Sequence, residues 1–166
     1  MPSAREVEGE DPCPVRELDE GDAQWLDGQR AAIHDVFQQL ATDDMDDGQG
    51  NFDTLAIADK LLTLWQTEPD RVEISEGELN GLIGVVVGDL IATVYPEMKW
   101  MILKLAEGEL PCVAYQSPRS RVIFSALDAV YKRMDDRSGT AVRDLVLGSL
   151  PLLKQQIELA KSRALG

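Results

Sequence analysis

The densest group of side chains able to do chemistry is a run of oxygen ligands: Asp43, Asp44, Asp46, Asp47, Asn51 and Asp53. Carboxylate and amide oxygens in such numbers are what a hard cation such as Ca²⁺ takes, but a helix–loop–helix calcium loop also demands a register. With Gly48 at its sixth position, Met45 falls at the third and Thr54 at the twelfth, where an oxygen ligand and a bidentate Glu are required. The register fails, so no metal is assigned. Three uses of the run are left. Asp43, Asp44, Asp46 and Asp47 could bind a basic protein partner or hold a cation loosely, or the run could be a plain solvated loop.

Nucleophilic chemistry has little to start from. The single histidine, His34, lies beside Asp35 with no Ser or Cys nucleophile near it in sequence, so local spacing draws no triad. Thirty acidic residues create many chance pairs, so no particular pair of carboxylates stands out as an acid and base. Gly81, Gly84 and Gly88 neither follow a strand nor open a phosphate-binding turn, which leaves nucleotide binding without a motif. Cys13 and Cys112 show no CxxC spacing, and zinc cannot be built from them and one histidine. No catalytic residue and no cofactor is assigned.

These residues need elements to position them. Apolar residues at Leu26, Ile33, Val36, Phe37 and Leu40 recur at three- and four-residue steps and predict an amphipathic helix, ended by the polar run 42–51. A second helix, capped by Asn51 or Asp53, carries Leu55, Ala58, Leu61, Leu62 and Trp65, with Pro69 beyond its end. Ser75 and Glu78 form a capping-box pattern ahead of a third helix rich in Leu, Ile and Val, which Tyr95 and Pro96 terminate.

On that third helix Gly77, Gly81, Gly84 and Gly88 fall along one stripe. A helical glycine costs about 0.5–1 kcal/mol against alanine, so four in register predict a closely approaching neighbour: a sheet, another helix, or a second copy of the chain across a homodimer seam. Beyond Glu97 the pattern changes to strands, at residues 99–105, 110–115 and 121–124, with a turn at Glu107, Gly108 and Glu109. Short turns predict a three-stranded antiparallel meander. Ser125 and Asp128 then cap a helix carrying Leu127, Val130, Tyr131 and Met134, with Gly139 at its end. Another starts at Thr140, Gly148 to Pro151 interrupts it, and a last helix carries Leu153, Ile157 and Ala160. Trp25, Trp65 and Trp100 are in phase with apolar neighbours and are expected in the core.

At 166 residues, 44% of them hydrophobic, the chain is the size of one domain. Residues 1–21 read as an acidic flexible arm and 22–166 as a single α+β domain. The N-terminus lacks an apolar run of signal-peptide kind, and the longest apolar stretch, residues 79–94, is broken by Asn, Gly and Asp. A cytoplasmic protein with reduced thiols and no membrane contact is the expectation. The net charge of −14 is divided unevenly: residues 1–97 hold 23 acids and 5 bases (−18), and residues 98–166 hold 7 acids and 11 bases (+4). Such a first half repels nucleic acid and attracts basic proteins, although solubility alone is also served by it. Arg119, Arg121, Lys132, Arg133, Arg137 and Arg143 in the second half could pair with those acids, bind anions, or be simply solvated.

Residues 79–147 carry Gly84, Gly88 and Asp89, then Lys99 and Trp100, Gly108, the run Pro111, Cys112, Val113, the run from Ala129 to Arg133, and Val142, Arg143, Asp144, Leu145. In these features the chain resembles the bacterial family catalogued as domain of unknown function 3806. The resemblance implies a compact α+β domain in bacterial cytosol and brings no catalytic residue. The chain departs from that pattern in its longer acidic N-terminal region and at residues 119–122. The expected fold is α+β, with N-terminal helices, a three-stranded meander and C-terminal helices packed on it. The expected function is a non-enzymatic protein-binding module, such as an adaptor, an immunity-type inhibitor or a secretion-chaperone-like protein. A small hydrolase built from dispersed carboxylates is the alternative.

Overall fold

A computed structural model describes residues 14–40 and 53–165. Ten elements follow in order: β1 (Val15–Arg16), α1 (Glu20–Leu40), α2 (Thr54–Thr67), α3 (Pro69–Val72), α4 (Glu76–Val94), β2 (Lys99–Leu105), β3 (Gly108–Gln116), β4 (Arg121–Phe124), α5 (Ala126–Tyr131) and α6 (Ala141–Leu165). The fold is α+β, with helices gathered on one face of an antiparallel sheet.

The centre is α4. Ser75 Oγ accepts the Glu78 N–H at 3.2 Å and starts the helix, and Tyr95 ends it ahead of Pro96. By length and apolar composition it could cross a membrane, yet every residue from Gly81 to Gly88 is buried inside the fold. Three of its glycines explain how it packs so deeply. A Cβ on Gly81 would press on Gln29 of α1, one on Gly84 would lie 2.9 Å from the Leu127 side chain of α5, and one on Gly88 would overlap the Trp100 ring of β2. The close neighbours along the stripe therefore come from the same chain. Gly77 differs: it is exposed, with nothing near its missing Cβ, because it sits in the first turn, ahead of the packed section.

The sheet has four strands in the order β1-β2-β3-β4, against the three expected. The additional strand pairs Val15 with Leu103 and Arg16 with Ile102, and the Lys104 N–H donates to Pro14 O at 2.6 Å. Two residues are too few to show alternation, which is why this strand was hidden in what reads as an arm. Val15 is buried, so the folded part starts before Asp22, and residues 1–13 lie outside the described residues. Leu105 pairs with Gly108, which puts Ala106 and Glu107 in the hairpin turn, one to two residues ahead of the expected position.

Alternation gives the sheet two different faces. Trp100, Val113, Tyr115, Val122 and Phe124 point to the helices and join the main core with Leu61, Leu79, Ile83, Val87, Val130, Leu145 and Ile157. Val15, Cys112 and Ala114 form a separate small cluster with Met101, Leu103 and Ile123.

The C-terminal helices depart furthest from expectation. α5 is a six-residue helix that ends at Tyr131, whose ring is exposed, and the Ser125 hydroxyl makes no capping bond and is buried without a partner. α6 runs unbroken for 25 residues through Pro151. An interior proline costs about 3 kcal/mol. Ala141, Val142, Leu145 and Val146 before it and Leu153, Ile157 and Ala160 after it all enter the same core. At about 1.5–3 kcal/mol for each large aliphatic side chain, this burial outweighs the break. The Tyr95 hydroxyl also donates to Leu150 O at 2.8 Å, holding α6 against the end of α4 beside that proline.

Candidate functional site

The start of α1 is set by a pair of aspartates. The Asp19 N–H donates to Asp22 Oδ2 and the Asp22 N–H donates to Asp19 Oδ1, both at 2.9 Å, a reciprocal cap that begins the helix at Glu20. Asp22 is thereby held at the mouth of a cleft between α1 and the sheet's two central strands. Leu18, Trp25 and Leu26 form one wall and Ile102 and Pro111 the other, with Glu109 facing Asp22, around a volume of about 310 Å³. Leu26 and Ile102 are buried at its floor.

Arg16 of β1 closes one side. Its guanidinium lies 2.7 Å from Asp22 and also bonds Glu109, so one side chain joins α1 to β3. The bonds to Glu109 and then Asp22 raise the Arg16 pKa further, and the Arg16 bond, followed by the Asp19 N–H, holds the Asp22 carboxyl below its ordinary value. Asp22 is therefore an ion at neutral pH and a weak base. Asp19 is exposed and lies 3.7 Å from the same guanidinium. Asp19, Asp22 and Glu109 are thus three carboxylates around the one guanidinium of Arg16, with Lys104 opposite Glu109 in the ladder. An apolar hollow with this rim is suited to binding a cation that carries an apolar group.

The residues singled out from sequence fall elsewhere. Asp43, Asp44, Asp46, Asp47 and Asn51 lie outside the described residues. Asp53, the last of that run, is the N-cap of α2: it accepts the Ala56 N–H at 3.1 Å and pairs with Arg143 at 2.6 Å. The Ala56 N–H, followed by Arg143, lowers its pKa. His34 is exposed and bonded to Gln38 at 3.1 Å. Among the described residues no three His, Cys, Asp or Glu side chains converge as metal ligands. Cys112 is fully buried, and desolvation pushes its thiol up to about 11, so it is an unreactive thiol; Cys13 lies outside the described residues.

The cations are partly used inside the molecule. Arg143 bonds Asp53, Lys132 pairs with Asp128 within one helical turn at 3.0 Å, and Arg133 donates to Ala129 O at 2.9 Å. The three tryptophans are only partly buried. The Trp65 indole donates to Ile74 O, and that of Trp100 donates to Asp89, which Arg30 also grips with two bonds of 2.8 and 3.0 Å. Trp25 lines the cleft instead.

Two acidic positions went unread in sequence. One is the Asp19-x-x-Asp22 spacing, a cap pattern just ahead of an apolar helix that would have found the start of α1. The other is Asp59, a carboxylate on the apolar face of α2 that is 6% exposed. It accepts the Val142 N–H at 2.7 Å and the Arg143 N–H at 3.4 Å, capping α6 from a different helix. Burial raises its pKa, and those two N–H groups oppose the shift.

The chain matches no protein-family model, no curated protein and no solved structure.

Proposed function

We propose that this is a non-enzymatic, cytoplasmic protein-binding module of the adaptor or inhibitor kind that takes a basic protein partner on its acidic half. Membership of the 3806 family, on the residues quoted for it, belongs to the same proposal. The observation that carries the reading is the surplus of uncompensated acid on the described surface. Glu20, Asp35, Asp70, Glu73, Glu76 and Glu78 are all exposed, and none of them pairs with a cation among the described residues. Asp43, Asp44, Asp46 and Asp47 add four charges to the same half. Clustered charge of one sign speeds encounter with an oppositely charged protein, and salt removes that advantage over about 8–10 Å.

The test changes Asp43, Asp44, Asp46 and Asp47 together to asparagine and follows association with the partner captured from cell extract. The measurement is made at low and at physiological salt. The expected result is a slower on-rate with a weaker salt dependence and a dissociation rate little changed. Association kinetics unaltered from the parent's at both salt concentrations would show those four aspartates to be a solvated turn.

A further inference from the structure

We infer that the cleft between α1 and the sheet is the anchor point for that basic partner, and that it takes one apolar side chain with an arginine or lysine beside it in sequence. This rests on the binding-module reading and says where and by what chemistry the partner is held. The walls come first. Leu18, Trp25, Leu26, Ile102 and Pro111 offer only apolar surface, around about 310 Å³, which is at the small end for ligand sites and accommodates one large side chain with its backbone. A tryptophan at the wall of such a hollow is the residue type that most often dominates binding energy, and its face also attracts a passing guanidinium or ammonium.

The charges select what flanks the apolar group. Three carboxylates, Asp19, Asp22 and Glu109, around one guanidinium leave the rim acidic. The Glu109 and Asp19 side chains are 49% and 64% exposed, against 21% for Asp22. Arg16 does not neutralise this rim so much as arrange it. By bonding Asp22 from α1 and Glu109 from β3 it ties the two carboxylates together across the cleft mouth. A partner's arginine can then add to Glu109 Oε1, the oxygen Arg16 leaves free, while its apolar neighbour enters beside Trp25. An acidic segment would meet repulsion at the same mouth.

The experiment uses the full chain and three capped tripeptide amides: Arg-Leu-Arg, Arg-Gly-Arg and Glu-Leu-Glu. Binding is followed through the Trp25 indole N–H and the Ile102 backbone N–H in two-dimensional NMR. The expected result is a saturable shift of both signals with Arg-Leu-Arg, at least about tenfold weaker binding when either the leucine or the charge is removed, and a roughly three- to tenfold loss in Glu109→Gln. Glu158→Gln, exposed on α6, should bind as the parent does. Shifts spread along α1 and α3, equal for Arg-Leu-Arg and Arg-Gly-Arg, would overturn the cleft and leave the acidic-surface reading intact. No shift with Arg-Leu-Arg would also overturn it, and the kinetics of the four-asparagine variant would then decide the broader reading by themselves.

Discussion

Asp59 and Asp22 each tie one element to another, and they do so in opposite ways. Asp59 is buried, bonds only backbone N–H groups at the start of α6, and has its pKa raised by desolvation. Asp22 lies at an open rim, bonds a guanidinium, and has its pKa lowered. The environment separates their roles. A buried acceptor whose donors are backbone has no exchangeable partner and serves the fold. A rim carboxylate held by a partly exposed, charged side chain can share its oxygens with an incoming cation.

The comparison predicts that substitutions in the interior change stability and those at the rim change binding. The largest effect belongs to the packed section of α4. Gly84→Leu would drive its side chain into Leu127, including that residue's backbone, and should yield an insoluble or unfolded chain. Gly88→Ala must displace the Trp100 ring and should cost about 1–3 kcal/mol, read as a lower midpoint in urea with an unchanged slope. A parent-like midpoint for Gly88→Ala would mean that the indole can move aside without loss.

Next comes the buried carboxylate. Asp59→Ala strands the Val142 N–H and should cost about 1–3 kcal/mol, lowering the melting temperature by about 2–4 °C per kcal/mol for a chain of this size. Its pH dependence has a definite sign. A carboxyl with a raised folded pKa binds its proton more tightly when folded, so its contribution is full below the unfolded value near 3.8 and is lost as pH rises through the folded one. Asp59→Asn should therefore flatten the loss of stability above about pH 4 in denaturant titrations, relative to the parent. An unchanged pH profile would mean that the two N–H bonds cancel the desolvation.

The rim should respond differently. Asp22→Asn and Glu109→Gln should melt close to the parent temperature while weakening the basic tripeptide, because exposed ion pairs add little to stability. A large fall in melting temperature for Glu109→Gln would make the Arg16 bridge a structural joint like Asp59. The smallest effect is at Gly77, which shares the stripe with Gly88 but faces open space. Gly77→Ala should gain up to roughly 0.5–1 kcal/mol from helix propensity, measurable as a slightly higher urea midpoint.

By itself the sequence determined what depends on neighbours along the chain. The Ser75 cap, a cap for α2 at Asn51 or Asp53, the β2–β3 hairpin and the α+β division all follow from spacing, because capping bonds and pleat alternation span only a few residues. It also placed glycines where α4 needs close neighbours, without saying that Trp100, Leu127 and Gln29 would be those neighbours. Tertiary structure decided the rest. β1 exists because β2 offers a ladder to two residues that have no pattern of their own, and α6 passes Pro151 because both of its halves share one core. Asp59 becomes a cap for a helix 83 residues away, and Arg16 meets Glu109 across 93 residues. Those pairings bring together groups that no local period connects, so the cleft and its acidic rim appear only once the chain has folded.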